Sequence, residues 1–194
     1  MKTIKALTLD LALTHAGMAL IELPLKADIQ TSDVKVCSTF LAKTERQKTK
    51  QVFQNSDDLR RLKEIYSHVK RLLQEADIVF SEIPSGAQNA RAALTFGAVL
   101  GMLSTIEKPL IQVQKTDRGM VVANRKSVSK QEVIDWAVKN WPDAGWHTVK
   151  RKGVLHVTND NEHVADSLAI AVAGTRNDQW KNLAGMSSLG QNHD

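Results

Sequence analysis

The chain has 194 residues, of which 42% are hydrophobic and 24% are charged, and this composition is typical of a single globular domain. The formal net charge of +5 is compatible with a polyanionic partner such as nucleic acid, although many basic proteins bind none. One cysteine, Cys37, excludes an intramolecular disulfide and a cysteine-rich zinc site. Its position in a strand-like segment predicts a core thiol, in a reducing compartment.

Membrane and export signals are not expected. No stretch approaches the roughly 18 consecutive apolar residues of a membrane span. The apolar segment 6–21 contains Asp10 and His15, whereas the hydrophobic region of a secretory signal is uncharged. We therefore expect no membrane association and a cytoplasmic location, in the host cytoplasm if the chain is viral.

The first half of the chain predicts three strands, at 4–10, 18–23 and 34–42, from their short apolar segments and intervening turn residues. A helix follows, capped by Ser56 or Asp57 and running to Glu75, because its apolar residues recur at helical spacing.

The second half predicts alternating strands and helices. A strand at 77–82 is followed by a Pro-Ser-Gly break and then by a helix at 89–107. Next come a strand at 110–113, an exposed basic loop at 115–130, and helices at 129–140 and 160–173. We assign residues 1–175 to one domain and expect residues 176–194 to form a polar tail with partial disorder. The order βββαβαβα predicts an α/β protein with a mixed central sheet.

Several acids occupy positions from which they can converge. Asp10 ends the first strand and Glu82 ends the fourth, so both would lie at one sheet edge if these strands are neighbours. His163 and Asp166 are three residues apart and share a helix face. Unpaired carboxylates there would require a divalent cation or a basic partner. Such a cluster could hold two metal ions that activate water and stabilise the leaving oxygen of a phosphodiester, with Mg²⁺ favoured by the oxygen ligands and Mn²⁺ also compatible with the imidazole.

Each of these residues also has an ordinary structural interpretation. A single acid after a strand is more often a turn or helix cap than a catalytic group, and a single histidine more often lies at the surface or the edge of the core. Asp160 and Glu162 lie close to Asp166 in sequence. The spacing alone therefore leaves open which acids of the last helix would bind metal.

Four segments carry a recognisable order of motifs. Residues 10–21, DLALTHAGMALI, run from the acid at the end of the first strand through a turn into a glycine-containing hairpin. Residues 82–101 continue from an acid into a small-residue helix, residues 115–133 form a basic segment, and residues 163–169, HVADSLA, fit a closing D/H-x-x-D-A-L-A helix. In order and spacing these segments resemble the RuvC family of Holliday junction resolvases.

This resemblance implies a ribonuclease H-like fold and a metal-dependent endonuclease that cuts branched DNA with two divalent ions, Mg²⁺ or Mn²⁺. It implies a homodimer through the helix that contains Gly97 and Gly101, although packing of that helix on its own sheet would also explain these glycines. The implied catalytic and metal-binding residues are Asp10, Glu82, His163 and Asp166. The implied DNA-binding residues are Lys115 near the scissile phosphate, Arg118, Arg125, Lys126, Asn89 and Ser85. For the basic residues, an ordinary solvated surface is the alternative.

The chain also departs from the family pattern. Leu11 and Ala12 replace a Pro-Gly pair after the first acid, and Ser85 occupies the position where the family usually carries an aromatic side chain that inserts at the junction. The glycine-rich stretch after the lysine is reduced to Gly119. These differences predict a divergent, phage-type resolvase or a broader branched-DNA endonuclease.

Three other functions remain open at this stage. A non-catalytic nucleic-acid-binding module on the same fold would require loss of the metal site, yet all four candidate positions carry ligating side chains. A sugar-kinase-like ATPase would need a glycine-rich phosphate loop, which residues 11–16 do not offer. An enzyme that cuts RNA–DNA hybrids can be separated from a DNA nuclease only by comparing substrates.

Overall fold

The structure is a computed structural model that describes residues 2–47 and 53–189, with side chains described as far as residue 186. Its strands are β1 (Thr3–Leu11), β2 (His15–Pro24), β3 (Lys35–Lys43), β4 (Ile78–Glu82), β5 (Leu110–Val113), β6 (Thr148–Arg151) and β7 (Val154–Val157). Its helices are α1 (Gln54–Leu73), α2 (Ala90–Leu103), α3 (Lys115–Ala123), α4 (Lys130–Asn140), α5 (Glu162–Gly174) and α6 (Asp178–Leu189). Short 3₁₀ turns lie at Thr31–Asp33 and Asn159–Asn161.

The central sheet has five strands in the order β3-β2-β1-β4-β5. The first three strands pair antiparallel, and β4 and β5 are added in parallel to β1. This is the mixed sheet expected from three consecutive strands followed by strand–helix–strand units, since parallel neighbours need a crossover connection. The predicted α/β fold with a mixed central sheet is confirmed.

Helices cover both faces of the sheet. On one face, α5 packs against β1, β2, β4 and β5, and α4 packs on α5, in a core that includes Phe80, Leu168 and Trp180. On the other face, α1 and α2 enclose a second core that includes Leu7, Ile65 and Val99. Helix α5 is buried from Val164 to Gly174 because it lies between the sheet and the helices outside it.

Two segments differ from their sequence-based prediction. The predicted basic loop at 115–130 begins with α3. A capping box, in which Gln114 and Asp117 accept hydrogen bonds from each other's backbone amides, closes the first turn of this helix. The predicted polar tail contains α6, and Trp180 of this helix is fully buried and donates from Nε1 to the carbonyl of Lys26 at 2.9 Å. The sparse apolar residues of 176–189 concealed this helix because one large aromatic side chain provides its anchor.

Smaller differences concern termini and edges. Helix α1 begins at Gln54 with Phe53 as its N-cap, not at Ser56 or Asp57. Cys37, predicted to be a core thiol, is exposed because β3 is the edge strand of the sheet. The two-stranded sheet of β6 and β7 was missed, since this segment between two helices is short and basic. Across residues 2–47 and 53–189, the helices are too short or too polar to span a membrane.

Candidate functional site

The site lies at one edge of the central sheet, where β1 and β4 end side by side. Leu9 is the register partner of Ser81 in this parallel pair, so Asp10 and Glu82 follow at the same level on adjacent strands. Both side chains are mostly buried, with 17% and 19% of their surface exposed. Parallel pairing therefore brings together two acids that are 72 residues apart.

Helix α5 contributes the other two predicted ligands because it crosses β2 closely at Gly17. Gly17 is the register partner of Asp10, and a Cβ atom built at this glycine would lie 1.9 Å from the carbonyl oxygen of His163. Any larger residue would have to displace the first turn of α5. Gly17 thus allows the helix carrying His163 and Asp166 to approach Asp10.

His163 and Asp10 form the closest contact of the site, with 2.7 Å between Nδ1 and Oδ2. The ring of His163 also stacks on His15, with centroids 5.2 Å apart and planes inclined by 8°. Burial lowers the pKa of His163, but the hydrogen bond and charge of Asp10, together with Glu162 and Asp166, outweigh burial and raise it above its usual value. Asp10 therefore orients the imidazole and favours its protonated form.

Arg118 of α3 lies among the remaining acids. Its Nη1 is 2.5 Å from Oδ2 of Asp166, and its Nε is 3.8 Å from Oε2 of Glu82. The guanidinium is only 13% exposed. Its role as a DNA phosphate contact stays a prediction; in this structure the charge of Arg118 is directed at the carboxylates.

The acids of the site are poorly solvated. Burial, and then the charge of Asp10, raise the pKa of Asp166 to about 7 in spite of Arg118. Burial also raises the pKa of Glu82, with Asp10 adding to the shift and Arg118 and Lys115 opposing it. Raised carboxyl pKa values in one cluster are typical of functional sites as well as of buried ion pairs.

The donor set suits a divalent cation. Ligand atoms of Asp10, His163 and Asp166 all lie within 4.8 Å of one another. Within the described residues, Oδ1 of Asp166 and Oε2 of Glu82 are buried without a hydrogen-bond partner. Buried carboxylate oxygens without donors are costly unless a cation binds them, and carboxylate with imidazole is a ligand set for Mg²⁺ or Mn²⁺. The residues therefore fit a metal ion, with Glu82 outside the group of three but on the adjacent strand.

The two acids left open by the sequence lie at the rim of this site. Asp160 pairs with Lys43 at 2.5 Å, and Glu162 pairs with Lys130 at 2.7 Å. Neither belongs to the group of three potential ligands. The geometry thus separates Asp166, which points into the cluster, from its two acidic neighbours.

The predicted DNA-binding residues lie in three segments of the chain. Lys115 begins α3 directly after β5, is exposed, and shares a cleft with the exposed Ser85. Asn89 caps α2 by accepting a hydrogen bond from the Ala92 amide at 2.8 Å. Arg125 forms an ion pair with Glu132, whereas Lys126 is exposed.

Two features of the site were not predicted from the sequence. The role of Arg118 depends on α3, which was predicted to be a loop. The sequence therefore did not indicate that the side chain of Arg118 points towards the acids. His15 was noted only as a polar interruption of an apolar segment, and its stacking on His163 depends on the packing of α5. A polar residue two positions before Gly17 was the only available hint.

No protein-family model and no curated protein sequence matches the chain. Among solved structures, it is similar to Thermus thermophilus RuvC in complex with Holliday junction substrate, with 19% identity, a TM-score of 0.57 and coverage of 88% of this chain and 92% of that one. It is also similar to another Thermus thermophilus RuvC structure, with 17% identity, a TM-score of 0.55 and the same coverage of both chains. The fold of this chain is therefore the α/β ribonuclease H-like fold of the RuvC structures.

Proposed function

We propose that the protein is a metal-dependent endonuclease that cuts branched DNA. The observation that carries this proposal is the convergence of Asp10, His163 and Asp166 within 4.8 Å, next to buried carboxylate oxygens that lack partners. The cluster lies at the carboxyl ends of β1 and β4, where α/β folds commonly place their sites. Similarity to a RuvC structure with bound junction DNA supports the choice of substrate.

Asp10, Glu82, His163 and Asp166 would hold one or two divalent ions, Mg²⁺ or Mn²⁺. When bound, such ions supply Lewis acidity that activates water and stabilises the leaving oxygen of a phosphodiester. Asp10 fixes the orientation of the His163 ring through the 2.7 Å contact. Deprotonated Asp166 offers a carboxylate oxygen that no described residue already binds.

Arg118 stabilises this acidic cluster in the absence of a cation. It lies between Glu82 and Asp166, so a metal ion held by both carboxylates would share or take over its neutralising role. Its contribution to the reaction is then to limit repulsion among the acids when the protein is free of metal.

Exposed cations beside the cluster would bind the DNA backbone. Burial raises the pKa of Glu82, and the charge of Lys115 opposes part of this rise, so its ammonium group lies within electrostatic range of the acids. We assign Lys115 to the scissile phosphate and Lys126, with Arg125, to neighbouring phosphates. Ser85 and Asn89, in the segment after β4, would contact the strand near the branch point. Contacts of this kind position DNA without reading its sequence.

The protein would act as a homodimer through α2. One face of this helix is exposed and apolar, and it includes Ala93, Leu94, Gly97 and Leu100. Leu94 is 53% exposed, and a Cβ atom at Gly97 would meet nothing within 4 Å. Packing on the chain's own sheet therefore does not explain this glycine, whereas close approach of a second copy does. A two-fold dimer would place two sites symmetrically on a four-way junction.

Sedimentation equilibrium tests the dimer. Gly97→Arg would introduce a charged side chain into the apolar face without a clash inside the chain, so a folded monomer is expected. Lys139→Glu, an exposed charge reversal on α4, is the control and should leave the dimer intact. A wild-type protein that is monomeric at micromolar concentration, with or without DNA, would refute the proposal.

The nuclease itself is tested by incubating labelled four-way junction, flap, linear duplex and RNA–DNA hybrid with Mg²⁺ or Mn²⁺. Paired cuts in the junction that disappear with Asp10→Asn are expected. Equal cutting of flaps and forks would widen the substrate class, as Ser85 suggests. Preferential cutting of the hybrid would identify the protein as a nuclease that acts on RNA–DNA hybrids. Tight DNA binding without any cutting would leave only a binding module.

A further inference from the structure

Strands β6 and β7 form a hairpin that stands apart from the central sheet. Arg151 pairs with Val154, and the two residues between them, Lys152 and Gly153, have φ angles of 47° and 84°. Two consecutive residues with positive φ are the mark of a type I′ turn, whose twist matches that of paired strands. The hairpin is thus a regular element with a defined tip, and its four-residue strands extend about 13 Å from the base.

Hydrogen bonds connect the base of this hairpin to the start of α5. The side chain of Asn161, 1% exposed, accepts from the amide of His147 at 2.9 Å and donates to the carbonyls of His147 and Thr158 at 2.8 Å. The Thr158 amide also donates to the carbonyl of His147 at 3.0 Å. Asn161 lies two residues before His163, so the hairpin originates beside the acidic cluster.

All eight strand residues of the hairpin are exposed. Val154 and Leu155, next to the tip, are 59% and 67% exposed. Because neighbouring residues of a strand point to opposite faces, these two side chains place an apolar group on each face of the hairpin. An isolated two-stranded hairpin gains little from burial, so exposed apolar side chains on both faces indicate a binding element.

The tip is strongly basic. Lys150, Arg151 and Lys152 are consecutive, and the segment 147–158 contains no acidic residue. None of the three cations forms an ion pair with another described residue. Three unpaired cations would repel the same tip of a second copy but would attract a polyanion.

We propose that the hairpin binds the substrate DNA at its branch point. Lys150, Arg151 and Lys152 contact backbone phosphates away from the scissile bond, and Val154 and Leu155 pack against bases that are unstacked where the duplexes meet. Apolar side chains placed against opened base steps are a common means of holding deformed DNA. This inference rests on the proposed function.

The phosphate contacts are tested by the salt dependence of junction binding, measured with the full chain in Ca²⁺ so that no cutting occurs. The variant Lys150→Gln/Arg151→Gln/Lys152→Asn keeps a residue that tolerates positive φ at position 152. Each lost phosphate contact reduces the slope of log K against log salt by about 0.9, so a reduction of about 2–3 is expected. The control Lys2→Gln/Lys70→Gln/Lys139→Gln removes three exposed lysines elsewhere and should leave the slope almost unchanged.

The apolar contacts are tested with Val154→Thr/Leu155→Thr, which places residues of high strand propensity at both positions. The ratio of junction affinity to linear-duplex affinity should fall about 5- to 10-fold, with affinity for the linear duplex unchanged. The fluorescence increase of a 2-aminopurine at the branch point should disappear. Val149→Thr, nearer the base, is the matched control and should retain both properties.

An unchanged salt slope and junction preference in both hairpin variants would overturn the proposal. A change in sedimentation of the apolar variant without any change in DNA binding would also overturn it, because the hairpin would then contact a second copy. Wild-type cutting of the junction is measured in parallel. If the wild type cuts while the hairpin variants bind normally, the nuclease stands and only the hairpin assignment fails; if the wild type binds no DNA, both fail.

Discussion

Two clusters of buried charge in this molecule are built differently. Between α1 and α2, Arg91 binds Asp58 through two contacts of 2.5 and 2.6 Å, and Arg61 donates to Oγ1 of Thr44 at 2.9 Å and to the carbonyl of Leu13 at 3.1 Å. At the sheet edge, Arg118 makes one short contact with Asp166 and a long one with Glu82. Among the described residues, buried atoms of all three side chains at the sheet edge lack hydrogen-bond partners.

This difference separates a structural network from a site. In the α1–α2 network, the arginines satisfy the carboxylate and join two helices, which is what a buried ion pair needs to avoid a net cost. At the sheet edge, three acids face one guanidinium and one imidazole, so the negative charge of the cluster is not fully neutralised. We infer that a cation from solution supplies it, and the following changes should distinguish the two clusters.

The largest difference is expected in catalysis. Asp166→Asn should lower the rate of junction cutting by about 1,000-fold or more, because the neutral amide lacks the negative charge that a carboxylate offers to a metal ion. Junction affinity in Ca²⁺, measured by anisotropy, should stay within about threefold because Asp166 is buried away from the DNA surface. A variant that cuts at a near-normal rate would remove Asp166 from the site.

Gly17→Ala should disrupt the site through packing alone. The added Cβ would clash with the carbonyl of His163 and force α5 away from Asp10. We expect a loss of about 3 kcal/mol in the free energy of unfolding, together with a large loss of cutting. Gly185→Ala in α6, away from the site and from the proposed dimer face, is the control, since a Cβ there meets nothing within 4 Å, and urea denaturation of both variants gives the comparison.

Asp58→Asn should show the opposite pattern to Asp166→Asn. Loss of the carboxylate leaves Arg61 and Arg91 without their charged partner, and we expect a destabilisation of about 1–3 kcal/mol, moderated because Arg91 is partly exposed. Cutting per folded molecule should be unchanged. A variant that is stable but inactive would contradict the structural role of this network.

The acidity of the site should appear as a modest pH dependence of stability. The folded pKa of Asp166, about 7, lies above its ordinary value of 3.8, so the folded state holds a proton that the unfolded state has already lost at intermediate pH. The pKa of His163 is also raised, and its protonation stabilises the fold at low pH in the same direction. In a chelator, the free energy of unfolding should therefore fall by about 1–2 kcal/mol between pH 5 and pH 8.

Urea denaturation across this range checks the sign and its origin. Asp166→Asn should flatten the profile, while Asp58→Asn should shift it without changing its slope. A wild-type protein that becomes more stable as the pH rises through 7 would show that these two groups do not carry the raised pKa values.

Most of the fold could be predicted from the sequence, since short apolar strands and the amphipathic periodicity of α1 are local signals. The sequence also indicated Asp10, Glu82, His163 and Asp166 as candidates, because strand ends and a helical spacing of three are visible in one dimension. Convergence was not visible, since it depends on the neighbouring positions of β1 and β4 and on the close approach of α5 at Gly17.

What the sequence concealed depends on long-range contacts. Arg118 has the appearance of one more surface cation in a basic segment, and only the helical geometry of α3 directs it inward. Helix α6 depends on Trp180. This side chain is buried where it bonds the carbonyl of Lys26 and packs on the ring of Phe80, both far away in sequence. The β6–β7 hairpin has no core of its own, so its strands carry no alternating pattern of buried and exposed residues.

The central claim, that the acidic cluster binds divalent cations, is tested most directly by calorimetric titration of Mn²⁺ into the protein with and without uncut junction DNA. The wild type and Asp58→Asn should bind one or two ions per chain, and Asp166→Asn should lose at least one of them. If the wild type binds no Mn²⁺ in either state, or if Asp166→Asn binds as the wild type does, the cluster is not a metal site and the proposed chemistry is wrong.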